Sequence, residues 1–289
     1  MAGDSGAKER TRRQAAVSSV SKSPQDKDMT EAVQKIKALA KWVLEAKKMV
    51  FFTGAGASTE SGIPDFRSPG GIWTRFDPED FTLDRFLNSH ESRKKQWQFL
   101  LGTTSIRNAK PNPAHLAIAE LERMGRVQCV ITQNIDGLHQ KAGSNPDQVY
   151  ELHGNLDWVR CIKCKNRYQT DWIIERNGGV KDVPDCEYCG GILKPDVIFF
   201  GEQLPHQTLK SAAMSSSSCD LFVVVGSSLV VYPAAYMPVY AKDAGARVVI
   251  INMDETPFDE QADLNINGRA GIVMGKLIQE VRGQKGTEP

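Results

Sequence analysis

Four short, continuously apolar segments constrain the fold of this chain more than any other feature of its sequence. Stretches with helical periodicity or loop composition separate one segment from the next. Short runs that are apolar on both faces are typical of strands in a parallel sheet that helices cover on both sides. The pattern predicts an α/β fold built on a doubly wound, Rossmann-like parallel sheet, with strands at residues 49–52, 127–132, 221–225 and 247–252.

Four cysteines in two closely spaced pairs interrupt this alternation. Each pair has the form Cys-x₂-Cys, and 21 residues separate the pairs. In a chain long enough to bury a core without disulfide bonds, this spacing indicates tetrahedral zinc ligation. A complete set of four thiolates leaves no coordination position for water, so the zinc is predicted to be structural. We therefore assign residues 158–193 to a small inserted zinc ribbon with the ligands Cys161, Cys164, Cys186 and Cys189.

The segments on either side of this insertion, residues 29–157 and 194–283, are predicted to form the Rossmann-like domain. Its first helix is expected to begin with Thr30 as the N-cap, because apolar residues recur with helical spacing from there. Residues 1–28 lack apolar periodicity and are predicted to be a disordered tail, with a basic anchor for nucleic acid as the alternative. The two remaining cysteines are expected to be small buried residues: Cys129 and Cys219.

The charge balance and the apolar runs exclude several classes of function. Lys and Arg number 36 against 35 Asp and Glu, which leaves a net charge of +1 and no basic field for direct nucleic-acid or membrane binding. The longest apolar runs are too short to span a bilayer. Because no signal peptide is apparent and the paired thiols have metal-binding spacing, we expect a reducing, cytoplasmic location.

Glycine or polar residues follow the predicted strands at their carboxyl ends, where open α/β sheets bind ligands. After the first strand comes Gly54-Ala55-Gly56, a turn that allows close approach to a pyrophosphate when a helix N-terminus follows. A plain strand-to-helix turn is the alternative. Thr59 replaces the third glycine of the dinucleotide fingerprint, and no ribose-binding acid stands about 20 residues further on. The turn is therefore dinucleotide-like but not that of a dehydrogenase.

Similar polar clusters follow the other strands. Amides and a carboxylate in residues 132–136 suit ribose hydroxyls and a carboxamide, although a plain Asn/Asp turn has the same composition.

The loop GIPDFR, residues 62–67, is suited to cover a cofactor, with an ordinary surface loop as the alternative. His153 is a candidate proton acceptor near neutral pH, and a structural histidine is the alternative. Zinc ligation by His153 is disfavoured because four cysteines already complete a tetrahedral site.

Several motifs follow one another along the chain: GAGAS, GIPDFR, TQNID, LHGN, the two cysteine pairs, FFGE, GSSLVVYP and INMDETP. Together they resemble the sirtuin family of NAD-dependent protein-lysine deacylases, in which they occur in the same order. They extend from about Lys35 to Val281, which leaves out only the tail and the last few residues. The resemblance implies NAD as co-substrate, a structural zinc and acetylated-lysine proteins or peptides as partners.

The resemblance also implies roles for individual residues. His153 corresponds to the general base of the family, and Asn134 is expected to act beside it in catalysis. An acyl-lysine peptide would bind as an added strand held by Val197, Phe199, Gly201, Leu229, Val230 and Val231. NAD would be bound by Gly54, Ala55, Gly56, Thr59, Phe66, Arg67, Gln133, Ile135, Asp136, Gly226, Ser227, Ser228, Asn252, Met253 and Ala270.

The reaction implied by the resemblance begins with attack of the acyl oxygen on the nicotinamide ribose. It yields free lysine, nicotinamide and O-acetyl-ADP-ribose. An apolar acyl group is expected, because residues 96–101 lack the Tyr-x-x-Arg pair of family members that prefer acidic acyl groups. A protein mono-ADP-ribosyltransferase and a non-catalytic module that binds NAD and zinc are the alternatives.

Overall fold

The computed structural model describes residues 24–102 and 104–285. The described strands are β1 (Met49–Thr53), β2 (Val127–Thr132), β3 (Val149–Glu151), β4 (Gly154–Cys161), β5 (Arg167–Gln169), β6 (Leu193–Val197), β7 (Leu221–Val225), β8 (Arg247–Asn252) and β9 (Leu264–Asn267). The larger sheet has the order β3-β2-β1-β7-β8-β9, and the smaller has the order β5-β4-β6. Every pairing in the larger sheet is parallel, which confirms the predicted doubly wound sheet.

The α-helices of the described residues connect these strands and flank the sheets. They are α1 (Pro24–Glu45), α2 (Leu83–Asn88), α3 (His90–Gly102), α4 (Thr104–Arg107), α5 (Pro113–Arg123), α6 (Leu138–Lys141), α7 (Thr170–Arg176), α8 (His206–Ser216), α9 (Met237–Asp243) and α10 (Ala270–Lys285). Among the helices of this described part, none combines the length and the apolarity needed to cross a membrane.

The start of α1 differs from the prediction. The described chain is helical from Pro24 onward, so the last five residues of the predicted disordered tail are helical and Thr30 lies inside the helix rather than at its N-cap. The rest of the predicted tail, residues 1–23, lies outside the described residues.

Alternate residues of the central strands face opposite sides of the larger sheet and build two cores. On one side, Met49 and Phe51 of β1 pack with residues of α1, α5 and α10. On the other side, Val50 and Phe52 pack with residues of α8 and α9. Strands that are buried on both faces explain why their sequences are continuously apolar. The second core also contains the two cysteines predicted to be small buried residues, Cys129 and Cys219.

The smaller sheet is antiparallel and extends beyond the predicted zinc ribbon. Its central strand, β4, pairs with β5 on one side and with β6 on the other. From Gly154 to Val197, its strands reach four residues beyond each end of the segment 158–193. Val159 of β4 shares a third core with Trp97 of α3, so the smaller sheet is packed against the α2–α3 region. The exact domain limits stay a prediction.

Replacing Gly226 by alanine is expected to destabilise the fold. Its φ is +64°, and an added Cβ would lie 2.2 Å from the backbone nitrogen of Ala57. The left-handed conformation costs roughly 1–2 kcal/mol for alanine, and the overlap adds roughly 1–3 kcal/mol. Urea denaturation of Gly226→Ala should reveal both losses in the free energy of unfolding.

Gly245→Ala is the matched control for that measurement. Gly245 has φ +87°, but an added Cβ would meet no atom within 4 Å. The free energy of unfolding of Gly245→Ala should therefore fall only by the cost of the left-handed conformation. Equal losses in the two variants would contradict the proposed overlap at Gly226.

Candidate active site

The carboxyl ends of β1, β2 and β7 meet at one edge of the larger sheet. Thr53, the last residue of β1, pairs with Thr132 of β2 and with Val225 of β7. The next residues stay in contact, because Gln133 N–H donates to the Thr53 carbonyl at 3.0 Å and Gly54 N–H donates to the Val225 carbonyl at 3.1 Å. Three of the predicted cofactor-binding segments therefore begin at the same place.

The glycines after β1 allow two loops to touch. Gly56 N–H donates to the carbonyl oxygen of Gly226 at 2.8 Å, and a Cβ added at Gly54 or Gly56 would lie 2.8 Å from a backbone atom of Gly226. The helix predicted to follow this turn is replaced by two 3₁₀ turns, Ala55–Ala57 and Thr59–Ser61. That prediction was wrong, because these residues form short 3₁₀ turns rather than an α-helix.

Next to this turn, four polar side chains form a buried hydrogen-bond network. Ser58 Oγ donates to Asp136 Oδ2 at 2.7 Å. Asn134 Nδ2 donates to Ser58 Oγ at 3.1 Å and to the Gly54 carbonyl at 3.0 Å, and His115 Nε2 lies 3.4 Å from Ser58 Oγ. All four side chains belong to residues that are at most 9% exposed. Asn134 and Asp136 are thus held firmly at the strand-end edge.

His115 takes part in this network as a neutral imidazole. Its Nδ1 accepts a hydrogen bond from the Asn112 N–H at 3.4 Å, which places the ring proton on Nε2, facing Ser58. Desolvation by burial lowers the pKa of His115, and the nearby carboxylate of Asp136 opposes this only in part. A neutral His115 can donate to Ser58, and Ser58 can donate to Asp136, so each donor of the network has an acceptor.

Ser58 and His115 are site residues that were not predicted. His115 lies in the first turn of α5 on its buried side, so its spacing is that of an ordinary core residue. The available signal was Asn112, an N-cap followed by proline, because its position fixes where His115 falls in the helix. Asn112 Nδ2 also donates to the Ala57 carbonyl at 2.8 Å, which joins this helix start to the glycine turn.

His153 has one ring nitrogen bound and one available. Its Nδ1 lies 2.9 Å from the carbonyl oxygen of Gln133, and only a protonated Nδ1 can make that bond. The lone pair is therefore on Nε2, for which the hydrogen bonds of the described residues provide no partner. Burial lowers the pKa of His153, and the bond to Gln133 opposes this to a smaller extent. A neutral imidazole with an available acceptor nitrogen is what a general base requires.

Several other predicted cofactor residues lie at the same edge. Gln133 Nε2 donates to Ser227 Oγ at 2.8 Å, which joins the loops after β2 and β7. Ala270 is brought towards the glycine turn, because Glu60 accepts a hydrogen bond from the Gly271 N–H at 2.5 Å. The remaining members lie at or just after the carboxyl ends of β2, β7 and β8: Ile135, Ser228, Asn252 and Met253.

The loop with the sequence GIPDFR is ordered by its own aspartate. Asp65 Oδ1 accepts a hydrogen bond from the Arg67 N–H at 3.0 Å. The ring of Phe66 packs on Trp73, with ring centroids 5.2 Å apart. A cavity of about 630 Å³ opens beside this loop and has Thr59 in its lining. The loop is therefore a folded structure next to the glycine turn rather than a loose surface connection.

The predicted peptide-binding residues after β6 are divided between core and surface. Val197 and Phe199 are buried, and the Phe199 ring packs on Phe86 at a centroid distance of 5.1 Å. Phe200, not predicted as a site residue, is 45% exposed, and its ring lies 5.9 Å from Trp73. Residues 199 and 200 are both phenylalanine, so nothing in the sequence indicates which of the two rings faces outward.

The same segment contacts the backbone of the candidate base. Ile198 N–H donates to the His153 carbonyl at 2.9 Å. The second predicted peptide-binding segment, which follows β7, buries Leu229 and leaves Val230 and Val231 at least partly accessible. Exposed apolar side chains therefore accompany both segments.

The four paired cysteines converge beside the smaller sheet. The Sγ atoms of Cys161 and Cys189 lie 3.5 Å apart, and those of Cys164 and Cys186 lie 3.6 Å apart. These separations are too long for S–S bonds of about 2.05 Å and close to the roughly 3.8 Å expected between thiolates around a tetrahedral zinc. The donor set fits a structural zinc. His153 is not among the residues of this cluster in the described chain.

A parallel sheet with a polar carboxyl edge, together with an antiparallel sheet that carries four converging thiols, defines a dinucleotide-binding α/β protein with a zinc ribbon. Comparison with known proteins identifies the family within this class. Residues 54–233 match the profile of the Sir2 family. The chain belongs to the Sir2 family.

Individual relatives agree with this assignment. NAD-dependent protein deacetylase 1 of Pyrobaculum aerophilum is 48% identical, over 81% of this chain and 90% of that protein. NAD-dependent protein deacylase 2 of Archaeoglobus fulgidus is 45% identical, over 86% of this chain and 96% of that protein. A solved Sir2 structure with a deacetylated p53 peptide and 3′-O-acetyl ADP-ribose has a TM-score of 0.78 at 39% identity, and the match covers 88% of this chain and 99% of that one.

Cys161→Ser is expected to lose bound zinc and to lower the melting temperature, because the site then lacks one of its four thiolates. Zinc content measured by elemental analysis and melting followed by circular dichroism check this. Cys219→Ser is the control, since Cys219 is buried in the core of the larger sheet, away from the cluster. Full zinc content in Cys161→Ser would contradict the assignment of this ligand.

Proposed function

We propose that this protein is an NAD-dependent protein-lysine deacetylase, which transfers the acetyl group from lysine to ADP-ribose and releases nicotinamide. The observation that carries the proposal is the available Nε2 of His153, whose ring is held by the bond from Nδ1 to the Gln133 carbonyl at the strand-end edge of a Sir2 fold. The names of the relatives support it, as do the deacetylated peptide and the acetyl ADP-ribose in the solved Sir2 structure.

NAD fits the residues at this edge. The amide of Gln133 and the hydroxyl of Ser227 provide donors and acceptors that suit ribose hydroxyls and a carboxamide. Arg67 would supply positive charge for the phosphates, and Phe66 would shield the reactive face of the ribose from water. When bound, NAD supplies the leaving group nicotinamide and the ADP-ribose that accepts the acyl group.

In this proposal His153 acts as the general base. Its Nε2 takes a proton from the ribose hydroxyls, so that the hydroxyl oxygen can attack the carbon of the acyl group. The Gln133 carbonyl stabilises the imidazolium that forms, because it already accepts the Nδ1 proton. Asn134, held by Gly54 and Ser58, would orient the reacting groups at the same edge.

The substrate is an acetylated-lysine protein or peptide that lies as an added strand along residues 197–201 and 229–231. Phe200 and Val230 offer exposed apolar surface to it. An apolar acyl group suits this chain, because residues 96–101 in α3 contain neither the Tyr nor the paired Arg of the acid-preferring family members. Backbone pairing gives little sequence selectivity, which favours a broad set of protein substrates.

A cytoplasmic location is part of the same proposal. Four free thiols arranged for zinc binding suit a reducing compartment. The net charge of +1 provides no general attraction to nucleic acid, so we expect no direct nucleic-acid binding.

An acetyl-lysine peptide incubated with the protein and NAD should lose its acetyl group, and mass spectrometry should detect nicotinamide and O-acetyl-ADP-ribose in equal amounts. Without NAD the peptide should remain acetylated. Gain of ADP-ribose on a protein substrate that stays acetylated would instead establish an ADP-ribosyltransferase. NAD binding without nicotinamide release by folded, zinc-loaded protein would establish a binding module.

His153→Ala should lower turnover by at least roughly 100-fold, the range expected for loss of a general base. Zinc content and melting temperature should stay close to those of the parent protein. His206→Ala is the control, because His206 is exposed at the start of α8. A His153→Ala variant with parental turnover would remove His153 from the base role.

The pH dependence of kcat/KM should show an acid limb below the ordinary histidine pKa of about 6.5. The base works in its neutral form, and burial lowers the pKa of His153, so a lower pH than usual is needed to protonate it. Rate measurements on the peptide at a series of pH values check this. An acid limb centred above 6.5 would contradict the assignment.

A further inference from the structure

Lys194 is a lysine buried in the smaller sheet. It lies on β6 and is 8% exposed. A buried ammonium is unfavourable unless charged and hydrogen-bonding partners surround it. The groups that surround the Lys194 ammonium therefore indicate the role of its buried charge.

Those partners all come from the stretch that follows Lys194 in the chain. Its Nζ donates to the Val197 carbonyl at 2.5 Å and pairs with Glu202 Oε2 at 3.1 Å. The same ammonium lies over the ring of Phe199, 4.5 Å from its centroid. The chain from the end of β6 to Glu202 thus folds back around one positive charge.

Glu202 closes a tight turn at the far end of this stretch. Its Oε2 accepts a hydrogen bond from the Phe199 N–H at 3.0 Å, and its own N–H donates to the Phe199 carbonyl at 3.0 Å. Gly201 has φ +81°, the left-handed conformation that a turn of this kind requires. We call residues 199–202 the FFGE turn. The carboxylate fixes this turn, and Lys194 fixes the carboxylate.

The FFGE turn carries the exposed ring of the segment and is tied to the candidate base. The backbone of Phe200 pairs on both sides, with its N–H donating to the Phe81 carbonyl at 3.1 Å and its carbonyl accepting from the Leu83 N–H at 3.0 Å. Just before the turn, Ile198 N–H donates to the His153 carbonyl at 2.9 Å. A shift of this turn would move the surface that faces the peptide relative to His153.

We infer that Lys194 and Glu202 are positioning residues for the acyl-lysine substrate: their ion pair holds the FFGE turn in register with His153. The inference rests on the proposed function, because that function supplies the peptide. Lys194 is buried, whereas the Glu202 side chain is 26% exposed. Ion pairs of buried groups add little to stability compared with apolar residues of the same volume, so a purely structural role would not by itself favour burying this lysine. Its effect should therefore appear in peptide binding rather than in NAD binding.

The experiment measures binding of a fluorescent acetyl-lysine peptide by anisotropy without NAD, so that no turnover occurs. Glu202→Gln and Lys194→Met should each raise the peptide Kd roughly tenfold, while the Kd for NAD stays within about twofold. Lys242→Met is the control: it breaks an ion pair of 2.8 Å with Asp263 on the far side of the larger sheet and should leave both constants unchanged.

The double variant Lys194→Met/Glu202→Gln separates positioning from folding. Neither variant side chain carries a charge, so the melting temperature should recover relative to the single variants. The peptide Kd should stay raised, because the bonds from Nζ to Val197 and to Glu202 are still missing. Should Glu202→Gln not fold as a single variant, Glu202→Asp replaces it in that comparison only, since it keeps the charge but is too short to reach the Phe199 N–H.

Parental peptide affinity in the folded single variants, or affinity restored together with stability in the double variant, would overturn the inference. So would a parent protein that does not bind the peptide. Nicotinamide release from NAD is measured separately on the parent protein. Peptide binding that depends on Glu202, without NAD turnover, would refute the proposed deacetylase activity and leave the positioning role standing.

Discussion

The contact between two glycine-bearing loops at the carboxyl edge of the larger sheet determines where the rest of the site can lie. Gly56 and Gly226 approach so closely that their backbones share a hydrogen bond of 2.8 Å. This approach joins the loops after β1 and β7, and Gln133 then bridges from β2 to Ser227. The carbonyl of Gln133 in turn orients the candidate base. A few backbone and side-chain contacts thus connect the loops after β1, β2 and β7 to the candidate base.

The features that could be predicted from sequence are those that local patterns determine. Continuous apolar runs identified the central strands because both faces of the sheet are covered, and the spacing of the cysteines identified the thiol cluster. A buried strand requires apolar side chains, and a metal site requires donor residues at short, regular spacings. Both requirements can therefore be recognised in the sequence.

The features that could not be predicted depend on contacts between distant parts of the chain. A helix was expected after the glycine turn, but two 3₁₀ turns follow it, and its Gly56 N–H bonds to Gly226 of a distant loop. His115 has the spacing of a core residue, and only the position of Ser58 in space gives it a polar role. In the same way, packing against Phe86 decides that Phe199 faces inward, although its neighbour has the same side chain.

The strand β4 links two properties that are usually considered separately. It starts directly after His153 and ends at the zinc ligand Cys161, a distance of roughly 23 Å along an extended chain. Because one strand joins these two places, loss of order at an empty thiol cluster would be passed along β4 to the backbone next to the base. A metal-depleted molecule would keep its parallel sheet and its nucleotide edge while its proton acceptor lost alignment, and the active fraction of a preparation would then follow its metal content rather than its folded content.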